Sequence, residues 1–245
     1  VPTHFSVYST TSQATSGIGY DPSGDVIYDG TNQYLYDADG RICAVYSSPG
    51  GGVVSMTGYL YDADGTRIAK GSISNWSCDP AVSGFVATNQ YSLGPAGEQI
   101  TEMVVDGSGT ASWQHTNVFA AGKLLATYDS DVLHFHLDDP LGTWRAQTDY
   151  AGVLEQTCGS LPFGDNLACT GSNQYPTEQH FTGKERDSES GNDYFGARYY
   201  ASSMGRWMSP DPGWFMFANM LNPRKRPAIP TGGVAGLGVT LGHGF

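Results

Sequence analysis

The tetrapeptide Asp-x-x-Gly, set between runs of tyrosine and β-branched residues, recurs along the chain and restricts its fold more than any other feature. It occurs at Asp21–Gly24, Asp37–Gly40, Asp62–Gly65, Asp106–Gly109, Asp139–Gly142 and Asp149–Gly152, and a form without the aspartate lies at Gly94–Gly97. Asp at the first position accepts hydrogen bonds from the backbone N–H groups ahead of it, which favours a type I turn. Gly after the two central residues takes the positive φ that rejoins the strands through a bulge. The flanks DVIYDG, QYLY, CAVY, GYLY, TEMVV, KLLATY and VLHFHL have strand composition. Each unit is therefore expected to be a hairpin, and the hairpins to pair edge to edge in one antiparallel sheet. Such a sheet twists and must curl or close, because open edges invite aggregation. The intervals are irregular, which excludes a fixed-period solenoid.

The same turns invite a metal reading, since DADG at 37–40 and 62–65 places carboxylates along a tight turn. An EF-hand loop needs Gly sixth and a bidentate Glu twelfth. Here Gly is fourth, and the twelfth residues from Asp37 and Asp62 are Ser48 and Ile73. The aspartates are read as turn formers. His134 and His136, with Asp138, fall on one face of an extended strand, which makes a zinc site conceivable. Paired histidines at i and i+2 are common without metal, so no metal and no cofactor are expected.

Composition agrees with an all-β chain. There are 33 Gly, 15 Tyr and 5 Trp with only 15% charged residues, and no long stretch has helical periodicity. At 245 residues the chain buries roughly three-quarters of its unfolded surface. A net charge of −12 repels a phosphate backbone and argues against a nucleic-acid partner. The opening VPTHFSVYST has neither a basic nor an apolar signal region, so the start reads as internal to a longer polypeptide. No stretch is expected to span a membrane as a helix; the uncharged C-terminal residues are too rich in Gly and Pro. Cys158 and Cys169 bracket a short loop, and Cys43 and Cys78 are available to each other. Two disulfides in a secreted or surface protein, or buried free thiols, are the alternatives.

The hairpins YLYDADGRI (34–42) and YLYDADGTRI (59–68) resemble the YD repeats of RHS (rearrangement hot spot) proteins. HLDDPLGTWRAQTDYAGVLEQT (136–157) is similar to the unit that precedes the RHS core. FTGKERDSESGNDYFGARYYASSMGRWMSPDP (181–212) is similar to the RHS repeat-associated core itself. The resemblance implies a spiralling β-sheet shell whose core region curls inward as a plug, around a toxic C-terminal cargo. On that basis we expect a lead-in at 1–18, a YD-repeat sheet at 19–157, the core plug at 158–223 and an atypical Gly-rich tail at 224–245. The charged residues Lys184, Glu185, Arg186 and Asp187, with Arg198 and Arg206, are expected either to form a buried ion-pair network under the plug or to lie on a solvated loop.

Relatives with cargo resemble aspartic proteases that cut themselves once, using two Asp-Pro segments whose carboxylates share a proton. Asp211 in SPDPGW matches the first segment, with Gly213 one place early; no acidic residue follows it to supply the second. Asp211 is accordingly a candidate without its partner, and a structural turn role is the default. The expected function is a structural, encapsulating piece of a toxin-related surface protein, not an enzyme, partnered by an upstream shell or by other copies of itself. The alternatives are a module binding cell-surface glycan through exposed aromatics, or a self-assembling fibre subunit joined through sheet edges and the Gly-rich tail. The tryptophans, Trp76, Trp113, Trp144, Trp207 and Trp214, are widely separated, which favours core packing over a glycan platform.

Overall fold

A computed structural model describes residues 13–14, 17–48, 54–171 and 178–211. The tail at 224–245, Trp214 and most of the lead-in lie outside the described residues.

Fourteen strands follow one another in chain order, each antiparallel to the next, with no crossover. They are β1 (Gly19–Tyr20), β2 (Val26–Tyr28), β3 (Gln33–Tyr36), β4 (Ile42–Ser47), β5 (Ser55–Tyr61), β6 (Arg67–Ser72) and β7 (Val86–Leu93), then β8 (Gln99–Val105), β9 (Ala111–Ala120), β10 (Lys123–Asp129), β11 (Val132–Asp138), β12 (Trp144–Thr148), β13 (Leu154–Gly159) and β14 (Ala168–Gly171). A second, small sheet of four strands comprises β15 (Glu185–Arg186), β16 (Asp193–Tyr194), β17 (Tyr199–Ala201) and β18 (Arg206–Trp207). The protein is all-β and built of antiparallel hairpins.

The turn chemistry accounts for the order of the main sheet. At the third Asp-x-x-Gly turn, Gly65 N–H donates to Asp62 O at 3.1 Å, and Asp62 Oδ1 accepts from Asp64 N–H at 3.0 Å and Thr66 N–H at 2.8 Å. Gly65 has φ +84°, which a side chain would strain. Asp21, Asp37, Asp106, Asp139 and Asp149 likewise accept, through Oδ1, the N–H four residues on. The pairing register shifts by one residue immediately before Asp21, Asp37, Asp62, Asp139 and Asp149, as a bulge at these turns requires. These carboxylates are committed to backbone amides.

Disulfides join Cys43 to Cys78 and Cys158 to Cys169. The second lies directly across β13 and β14, so the main sheet runs on past residue 157 to Gly171. The hairpin at 154–171 is paired into the main sheet, Gln156–Gly159 matching Ala168–Gly171 residue for residue, and the small sheet starts at Glu185.

The small sheet packs on one face of the early strands. Tyr194, Tyr199, Ala201 and Met208 share a buried cluster with Val26, Tyr34, Ile42, Val45 and Tyr59. The backbone joins in, Val26 N–H donating to Met208 O at 2.8 Å. The other face of β4 is covered by Cys78, Phe85 and Ile73, from the connection that holds the short helix α1 (Pro80–Ser83). Coverage on both faces explains why ICAVYS is buried almost throughout instead of alternating.

Candidate functional site: the junction of the two sheets

Arg67 lies at the centre of the junction. The first repeat reads Asp37-x-x-Gly-Arg41-Ile42 and the third turn reads Asp62-x-x-Gly-Thr66-Arg67. The extra threonine moves arginine one residue along the strand, onto the position that Ile42 occupies in the earlier hairpin. Side chains alternate across a strand, so one residue reverses the face. Arg41 stays at the surface, bonded through Nε to Asp37 at 2.8 Å and through Nη2 to Asp39 at 2.8 Å. Arg67 is turned inward and has no exposed surface.

There Arg67 Nη1 donates to both oxygens of Asp187, at 2.9 and 2.8 Å, and to Tyr199 Oη at 3.0 Å. Nη2 lies 2.6 Å from Glu185 Oε1. The Arg67 backbone N–H donates to Tyr194 Oη at 2.8 Å. The guanidinium also sits over the rings of Tyr59, Tyr91 and Tyr194, at 5.2, 5.5 and 4.5 Å from their centroids. Burial alone would lower the Arg67 pKa, but the Asp187 and Glu185 carboxylates outweigh it and hold the pKa well above the ordinary value. Lys70, 3.7 Å from Glu185, is likewise raised: burial is opposed and outweighed by Glu185.

Of the core-motif residues, Glu185 and Asp187 thus take their cations from the main sheet. Arg186 forms a bidentate pair with buried Asp193, at 2.9 and 2.8 Å, inside the small sheet. Arg206 Nη1 donates to Tyr20 Oη at 2.8 Å, tying β18 to β1. Arg198 sits over Trp207 at 4.3 Å and Lys184 over Phe195 at 5.6 Å, so these two rest on rings of the small sheet. Tyrosines of the main sheet complete the junction. Tyr59 Oη donates to Glu189 at 2.6 Å, and Asn192 Nδ2 donates to Tyr34 Oη at 3.1 Å.

The later strands present a polar face toward the same side. His134 and His136 both point there and are buried. His134 Nδ1 lies 2.8 Å from Glu155 Oε2, and His136 Nε2 lies 2.8 Å from Thr127 Oγ1. Burial, then the neighbouring His134 and His115, depress the His136 pKa to about 4. Among the described residues no three His, Cys, Asp or Glu side chains are grouped as a metal ion requires. Asp211 is exposed at the last described residue. Trp144 is buried, whereas Trp76 and Trp113 are substantially exposed, which departs from the expectation of core packing.

The fold and this junction define a class: a long sequential hairpin sheet with a small aromatic sheet locked to it by buried ion pairs. No family model matches the sequence. The chain is 27% identical over 199 residues to the tRNA3(Ser)-specific nuclease WapA of Bacillus spizizenii, a match that covers 80% of this chain and 8% of that protein. Solved structures share the fold. The crystal structure of TcdB2-TccC3 superimposes with a TM-score of 0.61 at 22% identity, over 79% of this chain and 10% of that one. TcdB2-TccC3-Cdc42 gives 0.58 at 20% identity over 79% and 10%. A Photorhabdus luminescens Tc holotoxin pore gives 0.58 at 20% identity over 79% and 9%. The chain spans about a tenth or less of the length of each.

Proposed function

We propose that this chain is the closing end of an RHS/YD-repeat shell: a stretch of wall with its inward plug, serving encapsulation in a secreted or surface protein related to toxin delivery. The observation that carries the reading is the Arg67 junction, which joins a sheet built only of sequential hairpins to the RHS-like core motif through buried ion pairs. Likeness in fold to TcdB2-TccC3 and in sequence to WapA supports it. Its partner is the preceding part of the same shell, which would pair with the free edge of the main sheet. The role assigned to these residues is structural, without self-cleavage and without a toxin domain of their own; Asp211 serves the backbone. Two disulfides suit an oxidising location.

Electron cryomicroscopy of the complete gene product tests this. The expected result is a closed hollow shell with residues 19–211 at one end and the small sheet facing the lumen. A solid domain, or a small sheet turned to solvent, would refute the reading.

A second reading has one specific observation behind it. Trp113 and Tyr128 are exposed side by side, ring centroids 5.6 Å apart, an aromatic surface of the kind that stacks on sugar rings. Binding on a glycan array that is lost in Trp113→Ala would favour an adhesive role.

A further inference from the structure

Beside the Arg67 junction lies a cavity of about 30 Å³, room for a water or two. Glu178 and Gln179 form one side of it, in the segment that leads into the small sheet. Glu178 O accepts from Arg186 N–H at 2.8 Å, and Gln179 bridges to Glu185. The opposite side is the polar face of the main sheet.

Charge around the cavity does not balance if every acid is ionised. β6 supplies two cations, Arg67 and Lys70, which are bound to Asp187 and Glu185. Two further carboxyls, Glu102 from β8 and Glu178, face the same space. From β7, Asn89 and Tyr91 contribute only neutral groups, bonded to Glu102 and Glu185. From β9, His115 Nε2 stands 3.8 Å from Glu102 and is held neutral, its pKa lowered by burial. β10 adds Asp129, another acid, and β11 adds His134 and His136, whose partners are Glu155 and Thr127. Four carboxyls, Glu102, Asp129, Glu178 and Glu185, thus line the cavity, while the two cations beside it, Arg67 and Lys70, are committed to Glu185 and Asp187. Glu102 and Glu178 line this one small cavity together, and two carboxyl groups within hydrogen-bonding reach can bond only if a proton lies between them. No grouping of His and acids is placed to let a metal ion take that role among the described residues.

We infer that Glu102 and Glu178 hold one proton between them at neutral pH, and that this shared proton fastens the lead-in to the plug against the main sheet. Alkaline pH removes it, leaves two buried carboxylates in contact and loosens the lead-in at Glu178–His180. The aspartic-type dyad is the chemical precedent for like carboxyls sharing a proton. The direction of the perturbation agrees: burial first, then Glu185 and Glu102, push Glu178 up to about 8, and burial also raises Glu102. Because the folded form holds the proton more tightly than the unfolded chain does, stability from this group declines as pH rises through that window. The inference concerns the junction alone and does not depend on what the shell encloses.

Carbon-13 NMR of glutamate-labelled protein, titrated from about pH 4 to about pH 10, decides it. One side-chain carboxyl should titrate well above the ordinary range and disappear from the spectrum in Glu178→Gln; ordinary titration of every glutamate overturns the inference. Hydrogen exchange at the Arg186 amide, corrected for the intrinsic rate, supplies the second readout. Protection should fall about tenfold or more as pH rises from about 4.5 to about 8, and stay level in Glu178→Gln, whose amide mimics the protonated acid. Level protection in the wild type overturns it too. A titration that shifts on adding EDTA would show that a bound cation balances the acids, which also overturns it. Should Glu178→Gln fail to fold, the wild-type titration still decides.

Discussion

Arg67→Ala isolates the contribution of the junction. Among the described residues the substitution removes the only cation in contact with Asp187, an aspartate with no exposed surface, whereas Glu185 keeps Lys70 at 3.7 Å. The loss therefore falls mainly on Asp187, and stranding one member of a buried pair costs about 3–5 kcal/mol. For a chain of this size that is a fall in Tm of about 6–20 °C. Arg41→Ala is the internal control, since it removes the equivalent arginine of the earlier repeat from a pair that is 20% and 18% exposed and, being open to solvent screening, is worth about 1 kcal/mol. Denaturant midpoints of the two variants should differ accordingly. Adding Asp187→Asn to Arg67→Ala should recover at least about 1 kcal/mol, because the stranded charge is then gone. If Arg67→Ala unfolds no more easily than Arg41→Ala, or the double variant is additive, the buried pair does not hold the sheets together.

Removing Cys43–Cys78 frees a separation of 35 residues, and Cys43→Ala/Cys78→Ala should lower stability by about 4 kcal/mol; the 11-residue separation of Cys158–Cys169 should cost about 3 kcal/mol, both read from urea midpoints. Gly65→Ala, at φ +84°, should lose about 1 kcal/mol or more in the same measurement, whereas Gly159→Ala, where a Cβ meets nothing, should lose less. His136 and His180 are each depressed to about 4, in both cases chiefly by burial, so their contribution is full above the ordinary histidine range and is lost as pH falls toward 4; midpoints measured across that window should decline, and less so in His136→Gln. Intact mass of the wild type and of Asp211→Asn, followed at mildly acidic pH, should stay at full length in both; a cleaved product in the wild type alone would make Asp211 catalytic.

Local features were legible in the sequence and long-range ones were not. The Asp-x-x-Gly turns are self-contained, since a carboxylate and a glycine three places apart fix their own backbone, and a sheet made of consecutive hairpins has its strand order written in the chain. The turns at Ala121–Gly122 and Ser130–Asp131 left no such mark. Their residues adopt positive φ, from 47° to 73°, because two-residue connections between twisted strands demand it. The short helix after Cys78 was equally unannounced, although Asp79 caps it at Ala81 N–H and Pro80 opens it. The charged core motif stood out by its composition, but its cations did not. Arg67 and Asp187 are 120 residues apart, and the clue lay in a single inserted threonine. Glu102 and Glu178 gave no signal, being ordinary acids until the fold brings them together.

The division of the main sheet into an apolar-faced and a polar-faced part follows from where the small sheet ends. Across the early strands the small sheet supplies Tyr194, Tyr199 and Met208, so Tyr34, Ile42, Val45 and Tyr59 opposite them have apolar partners and bury as a core. From β8 onward the side facing the plug carries Glu102, Asn117, His134, His136, Gln147 and Gln156 instead, all buried. Alternation then sends the apolar residues to the other side, and Phe135, Leu137 and Leu154 are 39%, 53% and 59% exposed. A free-standing sheet would gain by the reverse arrangement, since burying apolar area is what stabilises it. Inverted polarity is stable here because each strand is held by its hairpin neighbours and the polar face is cross-bonded: Thr127 to His136, Glu155 to His134 and Gln147. Replacing Gln147 with leucine should therefore destabilise the chain despite adding apolar burial, because it takes one donor from Glu155 within a closed network.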